Sequence, residues 1–81
     1  MNHEEEEEII KKLGKRIKEL RLAKGYSNYE NFAHDIDVHR AQYSKYEMGQ
    51  NMKFLSLLKV VEGLGVSMEE FFKDWDSDSK K

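Results

Sequence analysis

The chain has 81 residues, 38% hydrophobic and 37% charged, with a formal net charge of −2, no cysteine and no proline. That length leaves room for one small domain with a modest core. Without cysteine or a cluster of zinc-ligand spacing, neither a disulfide nor a structural metal supplements that core. No apolar run approaches the roughly 18 residues of a membrane span, and the acidic start MNHEEEEE is the reverse of a signal peptide's positive n-region, so a cytoplasmic protein with no membrane contact is expected.

In chain order, Glu4 to Glu8 precede a basic helix, and residues 1–8 read as an acidic, frayed N-terminal segment favoured by the helix dipole and by pairs such as Glu8 with Lys12. An acidic arm competing with phosphate for the basic patch is the sharper alternative. Ile10, Leu13, Ile17 and Leu20 recur at three- and four-residue steps, which predicts a helix burying that face and ending near Gly25. Ser27 followed by Glu30 reads as a capping box for a second helix from about Asn28, with Tyr29, Phe32, Ala33 and Ile36 on its buried face. Asp37 tolerates the left-handed conformation and ends it.

After Val38 a third helix is predicted over Arg40 to Met48, with Tyr43 and Tyr46 inward, Arg40, Ala41, Gln42, Ser44 and Lys45 outward, and Gly49 as its C-terminal cap. Two short helices across a four-residue turn, the second carrying outward polar groups, suit a reader of base edges in the DNA major groove, and equally suit an ordinary helical hairpin. Phe54, Leu57, Leu58, Val61 and Leu64 form the stripe of a fourth helix, with Gly63 and Gly65 weakening its end. Ser67 with Glu70 caps a short fifth helix bearing Met68, Phe71, Phe72 and Trp75, and residues 76–81 are expected to be a disordered tail.

The charge is unevenly spread. Residues 9–27 hold seven cations (Lys11, Lys12, Lys15, Arg16, Lys18, Arg21 and Lys24) against Glu19 alone, residues 28–59 balance, and both ends are acidic. A local basic patch attracts phosphate even on a slightly acidic chain.

The pieces LGKRIKELRLAKGYS, NFAHDIDVHRAQYSKYEMG and FLSLLKVVEGLGVSMEEFF, in this order, resemble the Cro/phage-repressor (XRE-like) helix-turn-helix family from about Leu13 to Phe72. The resemblance implies an all-α, compact five-helix lambda-repressor-like domain over residues 9–75 and a transcriptional regulator of double-stranded DNA that acts as a homodimer, with Arg40 to Met48 as the recognition helix. It further implies a structural ion pair between Arg21 and Glu47, backbone contacts from Asn28 and Tyr29, and a loop of Gln50, Asn51 and Lys53 beside the DNA backbone. Arg40 suits a guanine edge and Ala41 a thymine methyl. Gln42 and Ser44 are further candidates for the bases, with His39 and Lys45 for phosphate.

Phe72 and Trp75 are candidates for the dimer interface, Trp75 being expected to stand exposed in a monomer. The chain departs from the family pattern in an extra residue between Ser27 and Ala33, in Asp37 for the turn glycine, in His39 for a Ser or Thr cap, in Met48 for a polar residue, and in lacking a proline after Gly49.

A protein-interaction module of the same fold, such as an antitoxin, is the alternative function. No enzyme is expected. His34 and His39 with Asp35 and Asp37 lack the spacing of a metal site, and the chain offers neither a nucleophile beside a base nor a glycine-rich phosphate loop, so no cofactor is implied.

Overall fold

The computed structural model describes residues 1–76, and these form five helices: α1 (His3–Lys24), α2 (Tyr29–Asp35), α3 (Arg40–Met48), α4 (Phe54–Leu64) and α5 (Met68–Phe71). The tail expected to be disordered falls, beyond Asp76, outside the described residues.

Helix α1 starts earlier than its apolar spacing suggests. Asn2 accepts from the Glu5 amide at 2.8 Å while the Glu5 carboxylate accepts from the Asn2 amide at 2.9 Å, a reciprocal cap that starts the helix at His3. Residues 1–8, expected as a separate segment, are thus largely the first turns of α1, and Glu4, Glu5 and Glu6 sit where the helix dipole favours negative charge. At about 1.5 Å per residue its 22 residues are about as long as the molecule's longest dimension, 33 Å. Its buried positions are Gly14, Ile17 and Arg21, one stripe at three- and four-residue spacing.

Two glycines set how closely the helices cross. A Cβ on Gly14 would lie 2.6 Å from the carbonyl oxygens of both Tyr46 and Glu47, so only glycine lets α1 lie against the backbone of α3. A Cβ on Gly63 would lie 2.1 Å from Ile36 Cγ2, so Gly63, expected to weaken the end of α4, is a packing position against the end of α2. Gly65, in the left-handed conformation, caps α4.

The cap of α2 also differs from expectation. Ser27 is exposed, and Asn28 accepts from the amides of Glu30 (2.7 Å) and Asn31 (3.3 Å). Asn is at least as good a cap as Ser, and the Asn28 reach to the second and third helical amides leaves the Glu30 carboxylate free to turn elsewhere. Asp37 makes the turn after α2 at φ 58°, the Val38 amide returns to the Ala33 carbonyl at 2.9 Å, and Lys59 of α4 donates to the Asp37 carbonyl.

The core gathers Ile17, Phe32, Ala33, Ile36, Tyr43, Tyr46, Leu57, Val60, Val61, Leu64 and Phe71. Phe54, placed by periodicity in the α4 stripe, is 63% exposed, whereas Leu57, one turn further on, is buried. At the other end Arg16 donates to the carbonyls of Phe71 (2.7 Å) and Glu70 (2.9 Å), and Lys12 donates to the Trp75 carbonyl with its ammonium 4.4 Å from the indole centroid. Two cations of α1 thus bind carbonyls at and just beyond the end of α5. Trp75 is half-buried, against Phe72 and beneath Lys12, where exposure was expected.

Candidate nucleic-acid interface

Helix α3 is anchored from behind and open in front. Its inward residues are Tyr43, fully buried, and Tyr46; the Tyr43 ring meets Phe32 and Tyr46 edge-on and stacks on Tyr29 at 6.4 Å. The buried hydroxyl of Tyr43 donates to Glu47 Oε2. Burial first, and then that hydrogen bond, push the Tyr43 hydroxyl far above its ordinary range, so it stays a neutral donor at any physiological pH.

Glu47 is also gripped by Arg21 of α1, with Nε to Oε2 at 2.7 Å and Nη2 to Oε1 at 3.1 Å, and Arg21 Nη1 donates to the Tyr26 carbonyl. The hydrogen-bonded carboxylate raises the Arg21 pKa against the opposing cost of burial. This fork fixes the C-terminal half of α3 on α1, and among the described residues no buried side-chain nitrogen or oxygen lacks a hydrogen-bond partner. His39 Nδ1 accepts from the Ala41 amide at 3.3 Å, doing the capping work of a Ser or Thr, and Gly49 closes the other end in the left-handed conformation.

On the open side lie Arg40, Ala41 and Lys45, exposed, with Gln42 and Ser44 half-buried. His39, Asn28, Gln50, Asn51 and Lys53 are exposed on the flanking segments. Tyr29 is half-buried against Tyr43. Arg40 Nη1 lies 3.1 Å from Glu30 Oε2, a contact across the turn that the capping-box reading of Glu30 concealed.

The basic patch is smaller than the charge count suggested. Of its seven cations Arg21 is bound to Glu47, and Lys12 and Arg16 to carbonyls near the end of α5, leaving Lys11, Lys15, Lys18 and Lys24 with no hydrogen bond or ion pair among the described residues. Counting charges along a sequence cannot separate cations that face solvent from those that close a fold. His34 lies 3.6 Å from its neighbour Asp35, and no group of three His, Cys, Asp or Glu residues able to hold a metal occurs among the described residues. Nor is any helix there long and apolar enough to cross a membrane.

The helix-turn-helix family profile matches residues 17–71, which run from Ile17 of α1 to the end of α5 and contain α2, α3 and the exposed segments that flank them, while Lys11 and Lys15 lie ahead of the match. The chain belongs to the Cro/repressor-like (XRE-type) helix-turn-helix family. The control protein C.MunI of a Mycoplasma species is 38% identical over 64 residues, covering 78% of this chain and 86% of that relative. This helix-turn-helix protein is a DNA-binding transcriptional regulator, and its family is not one of enzymes.

Proposed function

We propose that this regulator recognises a specific double-stranded DNA sequence as a homodimer in the cytoplasm, with α3 in the major groove. The observation that carries the reading is the division of α3 into a buried rear, held by Tyr43, Tyr46 and the Arg21–Glu47 fork, and an exposed front beginning at Arg40. A rigid helix presenting polar side chains is what base readout requires. Arg40, at the N-terminal end, has the donor geometry for a guanine edge, Ala41 makes an apolar contact with a thymine methyl, and Gln42 and Ser44 hydrogen-bond neighbouring bases. Lys45, His39, Asn28, Gln50, Asn51 and Lys53 meet phosphates on either side, and Tyr29 serves packing first.

One such helix reads only a few base pairs, which favours two copies on paired half-sites about 34 Å apart. A body of 33 × 23 × 22 Å is compact enough for that spacing.

The test is site selection followed by binding isotherms on the selected and a random duplex at several salt concentrations. Arg40→Ala costs about 1–3 kcal/mol on the selected site and less on random DNA, whereas Lys45→Ala weakens both alike and lowers the salt slope by about one unit. If Arg40→Ala leaves the ratio of the two affinities unchanged, α3 is not reading bases through this residue.

A further inference from the structure

Arg40 does not stand alone at the tip of the recognition helix. Its Nη1 is 3.1 Å from Oε2 of Glu30, which lies ten residues back in the first turn of α2, and both side chains are open to solvent, at 70% and 43%. Exposed pairs of this kind contribute little to folding. The location is costly for a DNA binder, because Glu30 follows Asn28 and Tyr29 at the end of α2 proposed to face the DNA backbone, where a carboxylate repels phosphate on every sequence.

Resting on the proposed reading of Arg40, we propose that Glu30 is a specificity-determining positioning residue that aims the Arg40 guanidinium. A guanidinium carries five N–H donors in a planar fork. With Nη1 on Glu30, the edge formed by Nε and Nη2 remains for two acceptors, the number that O6 and N7 of guanine present. The held side chain loses less freedom on meeting that base.

The same contact restrains Arg40 on a wrong sequence. A free arginine at this position swings onto the nearest phosphate and adds affinity that carries no sequence information. One tethered to Glu30 gives up its partner only for a better one. Glu30 therefore lowers binding to DNA in general while widening the gap between the right site and the rest.

The experiment compares wild type, Glu30→Gln, Arg40→Ala and the double variant on the selected and a random duplex at one salt concentration, with Glu30→Ser carried alongside and melting curves confirming that each protein is folded. Glu30→Gln is expected to tighten binding to the random duplex and to narrow the selected-to-random ratio about 2- to 13-fold, the range that immobilising one flexible side chain is worth. In the Arg40→Ala background the same change leaves the ratio where it was. Equal tightening on both duplexes with Arg40 present overturns the proposal, since Glu30 then merely repels phosphate. An Arg40→Ala protein with an undiminished ratio overturns instead the underlying reading of Arg40, and that arm is read with Glu30 intact.

Discussion

Arg21 of α1 and Glu47 of α3 meet through two hydrogen bonds, 2.7 and 3.1 Å long, with side chains only 4% and 10% exposed. They join the first helix to the recognition helix at the point where Gly14 lets the two backbones approach. Shielded from water, each charge depends on the other, and the Tyr43 hydroxyl donates to the same carboxylate. Replacing one partner strands the other, so Arg21→Met and Glu47→Leu should each cost about 3–5 kcal/mol, well above the fraction typical of surface pairs. The double variant should lose clearly less than the sum, a comparison that denaturant titration gives directly. Strictly additive losses would mean that the pair does not act as a unit.

Gly14→Ala tests the helix crossing. Helix propensity alone predicts a gain of about 1 kcal/mol for this change. The new methyl would instead meet two carbonyl oxygens of α3 at 2.6 Å, and backbone atoms cannot rotate out of the way as a side-chain tip can. The helices must separate, and overpacking of this kind costs about 1–3 kcal/mol. A net loss in thermal stability is expected, and because α3 moves with its backbone, a loss of DNA affinity with it. A melting temperature equal to or above wild type would show that the crossing has slack.

These two contacts also mark where the sequence is legible and where it is not. Both ends of α3 could be read from Gly49, from the tyrosines one turn apart and from the polar stretch between them, because capping and periodicity are local. Asp37 likewise declared its left-handed turn. Gly14 could not be read, since a glycine inside a helical pattern looks like a weak spot until the neighbouring backbone is in place. Glu30 was misassigned for a related reason: its spacing from Ser27 satisfied a local rule, while Asn28 took the cap and Arg40 took the carboxylate. Phe54 fitted the period of α4, but periodicity shows which side chains share a face and not how far along the helix a partner covers it.

Stability is expected to depend on pH through the pair formed by Tyr26, after α1, and Asp35, at the end of α2. The Tyr26 hydroxyl donates to the Asp35 carboxylate, and that hydrogen bond, with nearby His34 adding to it, holds the Asp35 pKa below its usual range. The same bond raises the pKa of Tyr26. A lowered carboxyl contributes stability above the unfolded value of about 3.9, lost as pH falls through the folded value; a raised phenol contributes below about 10, lost as pH rises through the folded value. Tyr26→Phe should therefore be less stable than wild type between roughly pH 4 and pH 10, and the difference should shrink outside that window. Melting curves across the range decide it, and because Tyr26→Phe keeps the ring packed on Phe32, a difference independent of pH would mean that the hydroxyl does not act through the Asp35 carboxylate.

The proposed homodimer is expected to pair through the start of α4 rather than through the end of α5. Phe72 and Trp75 are already partly covered within the chain: their rings lie edge to face at 5.0 Å and Lys12 sits over the indole. The adjacent Phe54 and Leu55, at the start of α4, are 63% and 76% exposed, which is unusual for side chains of this size side by side on a small protein. They directly follow the Gln50, Asn51 and Lys53 loop proposed to flank the DNA, so a partner seated there would place its own α3 on the same face of the duplex. Leu55→Ser should accordingly shift sedimentation toward monomer and weaken binding to a two-half-site duplex far more than to a single half-site, with the melting temperature of the monomer little changed. Trp75→Ala should do the opposite, lowering thermal stability by removing the cover from Phe72 while leaving association intact. If Trp75→Ala dissociates the protein and Leu55→Ser does not, the contact lies at the end of α5, and the exposed pair on α4 must then serve some other partner.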